Sequence, residues 1–233
     1  MKFTDALPNS PTRRRRRALA AAPPGALHDF LAVDPPTPDT PVDELGLLAI
    51  DLETTGFDPA TDLILSVGFV PVDGRRITLG GARRILVAQP DTGAGVGESA
   101  TIHGLTDDQV ATEGLPLAEV LDLTLAAMQG RALLAHYSNL ETGFLGAACR
   151  LVHGVEPPWV DVDTLDIAYR LLTVGHYDEP PRQSLRLWAA RARFGLPTYK
   201  AHDALTDALA CAELYLALVE EPHAGATLRD LQR

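Results

Sequence analysis

The sequence predicts an α/β fold, a mixed sheet flanked by helices, and two observations carry that expectation. Between residues 46 and 89, short apolar runs broken by Gly and turn residues read as strands; beyond residue 115, apolar residues recur at helical spacing, with two further strand-like runs between them. Strands first, then alternating helices and strands, imply one mixed sheet with helices packed on it. At 233 residues and 46% hydrophobic content the chain is long enough for one substantial core, so one folded domain plus some excess is expected.

Taken in order, residues 1–45 carry an Arg run, an Ala run and then "AVDPPTPDTPVDE", whose closely spaced prolines oppose regular structure. This region reads as a low-complexity extension and linker. Its arginines, Arg13 to Arg17, suit RNA, a membrane surface or an acidic protein partner, and equally a solvated, partly helical tail. The domain proper spans 46–222. "GLLAID", "DLILSVGFVPV", "RRITLGG" and "RRILVAQ" read as three or four antiparallel strands in a meander. "PLAEVLDLTLAAMQG" is a helix stopped at Gly130, "RALLAH" a buried strand, "NLETGFLGAACRLVHG" a helix and "PWVDVDT" a strand. "DTLDIAYRLL", "SLRLWAARARFG" and "ALTDALACAELYLALVEE" are helices, and 223–233 is left as a C-terminal tail. There is no internal repeat.

The net charge is −11 with a pI near 5.0. Residues 1–45 hold six basic and six acidic residues, so the whole excess lies in 46–233. Most of that surface repels a phosphate backbone. Cys149 and Cys211 both fall in apolar helical stretches and read as buried thiols rather than a disulfide, metal ligands or nucleophiles. No run approaches the roughly 18 apolar residues of a membrane span, and the N-terminus lacks a signal-peptide pattern. A cytoplasmic protein without membrane association is the expectation.

The chemistry is concentrated in acidic residues. In "LLAIDLETTGFDP", Asp51 and Glu53 stand two apart at the end of a buried strand and project to the same face, a landing site for a hard cation. In "LLAHYSNLETGFL", another buried strand runs into a polar loop and Glu141 falls in the first turn of the next helix. In "KAHDALTDALACAELYLAL", His202 precedes an Ala-rich helix and Asp207 lies in its first turns. Taken singly, His202 is an ordinary loop histidine and Asp207 a partner of the helix dipole.

In order, "AIDLETTG", "LLAHYSNLETGFL", "DTLDIAYRL" and "HDALTDALACAELYL" resemble the motifs of the His-bearing DEDD 3′-to-5′ exonucleases. That family includes the proofreading subunit of bacterial replicative polymerases, ribonuclease T and oligoribonuclease. The resemblance covers residues 46 to about 220 and implies a ribonuclease H-like sheet of five strands. It further implies that Asp51, Glu53, Glu141 and Asp207 bind two divalent cations, Mg²⁺ or Mn²⁺, with His202 as general base on the loop entering the helix. Four carboxylates within about 4 Å repel by about 4 kcal/mol per pair at an effective dielectric near 20, and cations cancel that charge. The metals would sit roughly 3.5 to 4 Å apart, activating water and stabilising the leaving 3′ oxygen. Leu52, Thr54 and Thr55 would line the pocket for the last nucleotide, with His103 and Leu105 of "TIHGLT" closing it.

One departure is plain. The family's second motif carries Asp where this chain has Glu141, and Tyr137 stands where asparagine commonly follows the motif's histidine. Glutamate keeps the charge and reaches about 1.5 Å farther, so the helix must sit back or Glu141 act through water; Asn139 is a poorer neutral substitute. The implied activity is hydrolysis at 3′ ends of single-stranded or frayed DNA, releasing nucleoside 5′-monophosphates. RNA trimming or oligonucleotide degradation is the neighbouring reading, and a nuclease-like binding module with weakened catalysis the alternative. An acidic body holds few phosphates, so short strands suit it best. Arg182, Arg186, Arg191, Arg193 and Lys200 are placed to contact a strand or simply to solvate a helix face.

Overall fold

The structure, a computed structural model, describes residues 10–89, 107–173, 179–220 and 225–232. At its centre lies β1 (Gly46–Thr54), paired antiparallel to β2 (Ile64–Asp73) with Asp51 opposite Gly68. β3 (Arg76–Ile77) and β4 (Arg83–Leu86) both pair with the far edge of β2, at different heights. On the other side of β1, β5 (Ala132–Ala135) and then β6 (Asp161–Asp163) run parallel to it. The sheet is therefore mixed, and its six strands fill five positions because β3 and β4 share one edge. The expected meander stops there: β4 returns to β2 instead of adding outside β3.

Two-residue alternation along β1 builds a core on each face. Leu48, Ile50 and Leu52 point into a cluster with Leu121, Leu125 and Phe144; Leu47 and Ala49 point the other way, to Ala212, Leu214 and Tyr215. The first face is covered by α1 (Pro11–Ala21), α2 (Ala26–Ala32), α4 (Leu117–Met128) and α5 (Asn139–His153). The second carries α6 (Thr164–Thr173), α7 (Leu187–Arg193), α8 (Ala204–Leu218) and α9 (Leu228–Leu231). A short α3 (Asp107–Glu113) precedes α4. Gly130, the expected stop of α4, has φ 70°, a conformation that glycine adopts without a Cβ penalty.

The N-terminal segment departs from its reading as extension and linker. Ser10 caps α1, and Leu27, Phe30 and Leu31 of α2 are buried in the first core, Phe30 against Trp159 at 5.7 Å between ring centroids. Arg15 turns inward, over the Phe30 ring and onto the carbonyls of Phe30 and Val33 at 2.5 and 2.7 Å. Those carbonyls end α2, where a cation also meets the negative end of the helix dipole.

The proline-rich stretch is held too. The Val42 N–H donates to Ala226 O, and Thr40 O and Pro38 O accept from the N–H groups of Leu228 and Arg229. Asp39 pairs with Arg229 at 2.7 Å. The expected C-terminal tail is consequently a capped turn, with Leu228 and Leu231 buried in the second core. The sequence reading missed both because prolines lack regular periodicity and α9 has only four residues. No described helix is long and apolar enough to cross a membrane.

Candidate active site

Asp51 and Glu53 share the sheet face of Leu47 and Ala49, so they look toward α8. Gly68, opposite Asp51 on β2, fixes how close that helix comes: a Cβ there would overlap the main chain of Ala204 and Leu205. The first turn of α8 therefore rests directly on the sheet, and Asp207 arrives beside the strand carboxylates. One carboxylate oxygen from each of Asp51, Glu53 and Asp207 lies within 4.8 Å of the others.

Glu141 approaches from the first turn of α5 and is 3% exposed. It is outside that trio, yet its charge acts on Asp51. The loop before it is anchored by Asp163, whose carboxylate accepts from the N–H groups of Tyr137, Ser138 and Leu165 at 2.8 to 2.9 Å. His136, also before it, touches Thr164 Oγ1 at 2.9 Å and Leu185 O at 2.7 Å, tying β5 to the second helical layer.

His202 lies on the loop entering α8, exposed, and its N–H donates to Asp207 Oδ2 at 2.8 Å. Its φ is +67°; Tyr137 has φ +81°, and these are the non-glycine residues with positive φ among those described. Each such backbone costs roughly 1 to 3 kcal/mol and persists where surroundings enforce it. Here a carboxylate enforces each one, Asp207 for His202 and Asp163 for Tyr137.

The electrostatics are those of crowded acids. Burial, then Glu141, Asp207 and Glu53, hold Asp51 well above the usual carboxylate range. Burial and Asp207 push Glu53 up to about 7, against a lowering pull from Arg84. Burial pushes Glu141 up to about 8, against its own backbone N–H. Burial also raises Asp207. Glu141 Oε2 and Asp207 Oδ1 are buried with no hydrogen-bond partner. Unpaired buried carboxylate oxygens beside the trio of Asp51, Glu53 and Asp207 are the kind of donor a hard divalent cation takes.

The remaining residues sort less evenly. Leu52 is buried in the first core, which leaves only its backbone for a ligand. Thr54 donates to Gly56 O, and Thr55 donates to Asp62 and accepts from the Leu63 N–H, so both hydroxyls shape the turn. His103 and Leu105 lie outside the described residues. Arg191 is fully buried, bonded to Ala210 O, Pro197 O and Glu213, and so does not reach a strand. Cys149 and Cys211 are buried and free, burial pushing the Cys149 thiol up to about 12.

Three residues escaped sequence reasoning. Asp203 caps α8 and pairs with Arg84 at 3.3 Å, and Asp163 holds the Glu141 loop. The Asp203 signal was present, an N-cap aspartate just before "ALTD"; Arg84 and Asp163 looked like ordinary strand positions.

A family model described as an exonuclease (RNase T) matches residues 48–215. DNA polymerase III PolC-type of Thermotoga maritima is 27% identical over 182 residues, covering 78% of this chain and 12% of that protein. The DNA polymerase III subunit epsilon of Treponema pallidum is 28% identical over 177 residues, covering 76% and 78%. This chain thus spans about an eighth of the PolC-type relative. Among solved structures, E. coli exonuclease I in complex with a dT13 oligonucleotide shares the fold, with a TM-score of 0.65 and 17% identity over 76% of this chain and 41% of that one. The matched span holds β1 through most of α8 and all four carboxylates, and the chain accordingly belongs to the DEDDh exonuclease family, with glutamate as its third acid.

Proposed function

We propose that this chain is a metal-dependent 3′-to-5′ exonuclease that hydrolyses phosphodiester bonds at the ends of single-stranded or frayed DNA, releasing nucleoside 5′-monophosphates. The observation that carries it is the trio Asp51, Glu53 and Asp207 within 4.8 Å, with the charge of buried Glu141 acting on Asp51. These four would hold two Mg²⁺ or Mn²⁺ ions. When bound, such ions neutralise phosphate charge and make a coordinated water more acidic.

The chain's own residues do the rest. Asp51 and Glu53 stand on the central strand, so the ligands move little while a nucleotide leaves. His202 takes the proton of the attacking water as general base, a role worth about 10²–10⁴ in rate. The N–H bond to Asp207 fixes its left-handed turn and keeps its backbone beside that carboxylate. The backbone from Leu52 to Thr55 positions the terminal nucleotide. DNA is favoured over RNA by the polymerase III names of the relatives and the oligonucleotide bound by exonuclease I, all properties of those proteins.

Incubation of 5′-labelled single-stranded DNA and RNA with Mg²⁺, Mn²⁺ or a chelator tests the proposal. A ladder shortening from the 3′ end, lost in chelator and in Asp51→Ala and His202→Ala, is the expected result. Intact oligonucleotide that stays bound favours the second reading, a binding module with weakened catalysis. What speaks for that reading is Glu141, which lies outside the 4.8 Å trio.

A further inference from the structure

The Arg13 to Arg17 run is absorbed by neither the fold nor the proposed reaction. α1 precedes the residues that the family model matches, and only one of its five arginines faces inward. Successive helical residues turn by about 100°, so Arg13, Arg14, Arg16 and Arg17 span an arc of about 160° centred opposite Arg15. Burial agrees: Arg15 and Ala18 are buried and the other four arginines are exposed. Among the described residues none of those four forms an ion pair.

This arrangement works against the helix that carries it. Arg13 and Arg17 are like charges four residues apart, and Arg13 and Arg14 lie in the first turn, where the dipole disfavours cations. There is no acid in its first turn. Arg15 nevertheless fixes the helix to α2, so the arc is held on a folded surface rather than on a loose tail.

We infer that the exposed arc of Arg13, Arg14, Arg16 and Arg17 is a docking surface for the phosphate backbone of a nucleic-acid strand. Guanidinium forks pair with phosphate oxygens two bonds at a time. The charge balance favours this partner, because residues 46–233 carry the whole −11, with acids outnumbering cations, and so repel a polyanion that the exposed arginines attract. A lipid surface is disfavoured, since a membrane-lying helix needs large apolar residues beside its basic face. α1 exposes none: Leu19 is partly buried on the first core. The inference rests on the exonuclease reading only in its choice of polyanion.

The test measures fluorescence anisotropy of 5′-labelled thymidine oligonucleotides, about thirty and about five nucleotides long, in chelator. The full-length chain is compared with a variant carrying Arg13→Gln, Arg14→Gln, Arg16→Gln and Arg17→Gln, which keeps Arg15 and helix propensity. Circular dichroism verifies its fold. The variant should bind the long strand at least ten-fold more weakly near 50 mM salt, and the short strand within two-fold of the parent. Four neutralised phosphates give a log–log salt slope of about −3 for single strands, and the variant should lose most of it.

Equal binding of the long strand by both proteins overturns the inference. So does arginine-dependent sedimentation with phosphatidylserine vesicles in place of oligonucleotide binding. Hydrolysis with no effect of the variant sinks the docking surface and leaves the exonuclease reading standing. Arginine-dependent binding without hydrolysis under any metal does the reverse.

Discussion

Glu141 is where this chain tests its family's geometry. Its carboxylate is buried, uses its own N–H and leaves Oε2 without a partner, so the longer side chain is seated rather than merely accommodated. Glu141→Asp should therefore withdraw the oxygen by about 1.5 Å and lower kcat about ten-fold, read in single-turnover nucleotide release with Mn²⁺. An unchanged or faster rate would mean that the site was built for aspartate. The crowded acids also set a pH dependence. Because their folded-state values are raised, the folded chain holds protons that the unfolded chain has released. That stabilisation is complete below about pH 4.5 and is lost as pH rises through about 7 for Glu53 and about 8 for Glu141. The Tm of the metal-free protein should fall across that window, and Mn²⁺ at about pH 8 should restore it by binding only the folded state. Asp51→Asn should flatten the fall and abolish the Mn²⁺ shift. Strand alternation placed Asp51 and Glu53 on one face, and helix phase placed Glu141 and Asp207 in first turns with His202 on the loop before the second; only the resemblance joined the four acids into one set. The anchoring role of Asp163 was not legible in the sequence, since its partners are backbone N–H groups, and of Asp203 only the N-cap was announced locally, not its pairing with the distant Arg84.

At the scale of elements, the site depends on how closely α8 approaches β2. Gly68→Ala would drive a methyl group into the main chain of Ala204 and Leu205, which cannot rotate away as a side chain could. Overpacking of this kind costs about 1–3 kcal/mol. It should also lift Asp207 from Asp51, so thermal melting and turnover are both expected to drop. The same helix is pinned from its other side by Arg191, which bonds Ala210 O and Pro197 O, pairs with Glu213 and packs on the rings of Trp188 and Tyr199. Arg191→Leu strands a partly exposed Glu213 and loosens the loop leading to His202. A loss of about 2–4 kcal/mol, discounted for that exposure, is the outcome that urea denaturation should report. The sequence located α8 and the acid in its first turn, but it offered Arg191 as a surface cation. Nothing in the spacing of "SLRLWAARARFG" distinguishes the buried arginine from its exposed neighbours.

Across the whole molecule, residues 10–45 belong to the folded body as much as the sheet does. Deleting residues 1–33 would bare the apolar surface under Leu27, Phe30 and Leu31, each worth about 1.5–3 kcal/mol when buried. The truncated chain should melt several degrees lower, with altered Trp159 emission once Phe30 is gone; unchanged melting would make the segment an appendage after all. This contribution was hidden because short helices and prolines leave no long period to read, and their burial depends on α4 and Trp159, far along the chain. The stitching of Pro38, Thr40 and Val42 to Ala226, Leu228 and Arg229 has its own consequence for biosynthesis. A nascent polypeptide can pair β1 with β2 early, but the backbone groups that lead into β1 find their mates only when translation reaches the final turn. Closure of that seam is thus deferred until residues 226–229 have left the ribosome, and a product stalled before them would expose it to proteases and chaperones.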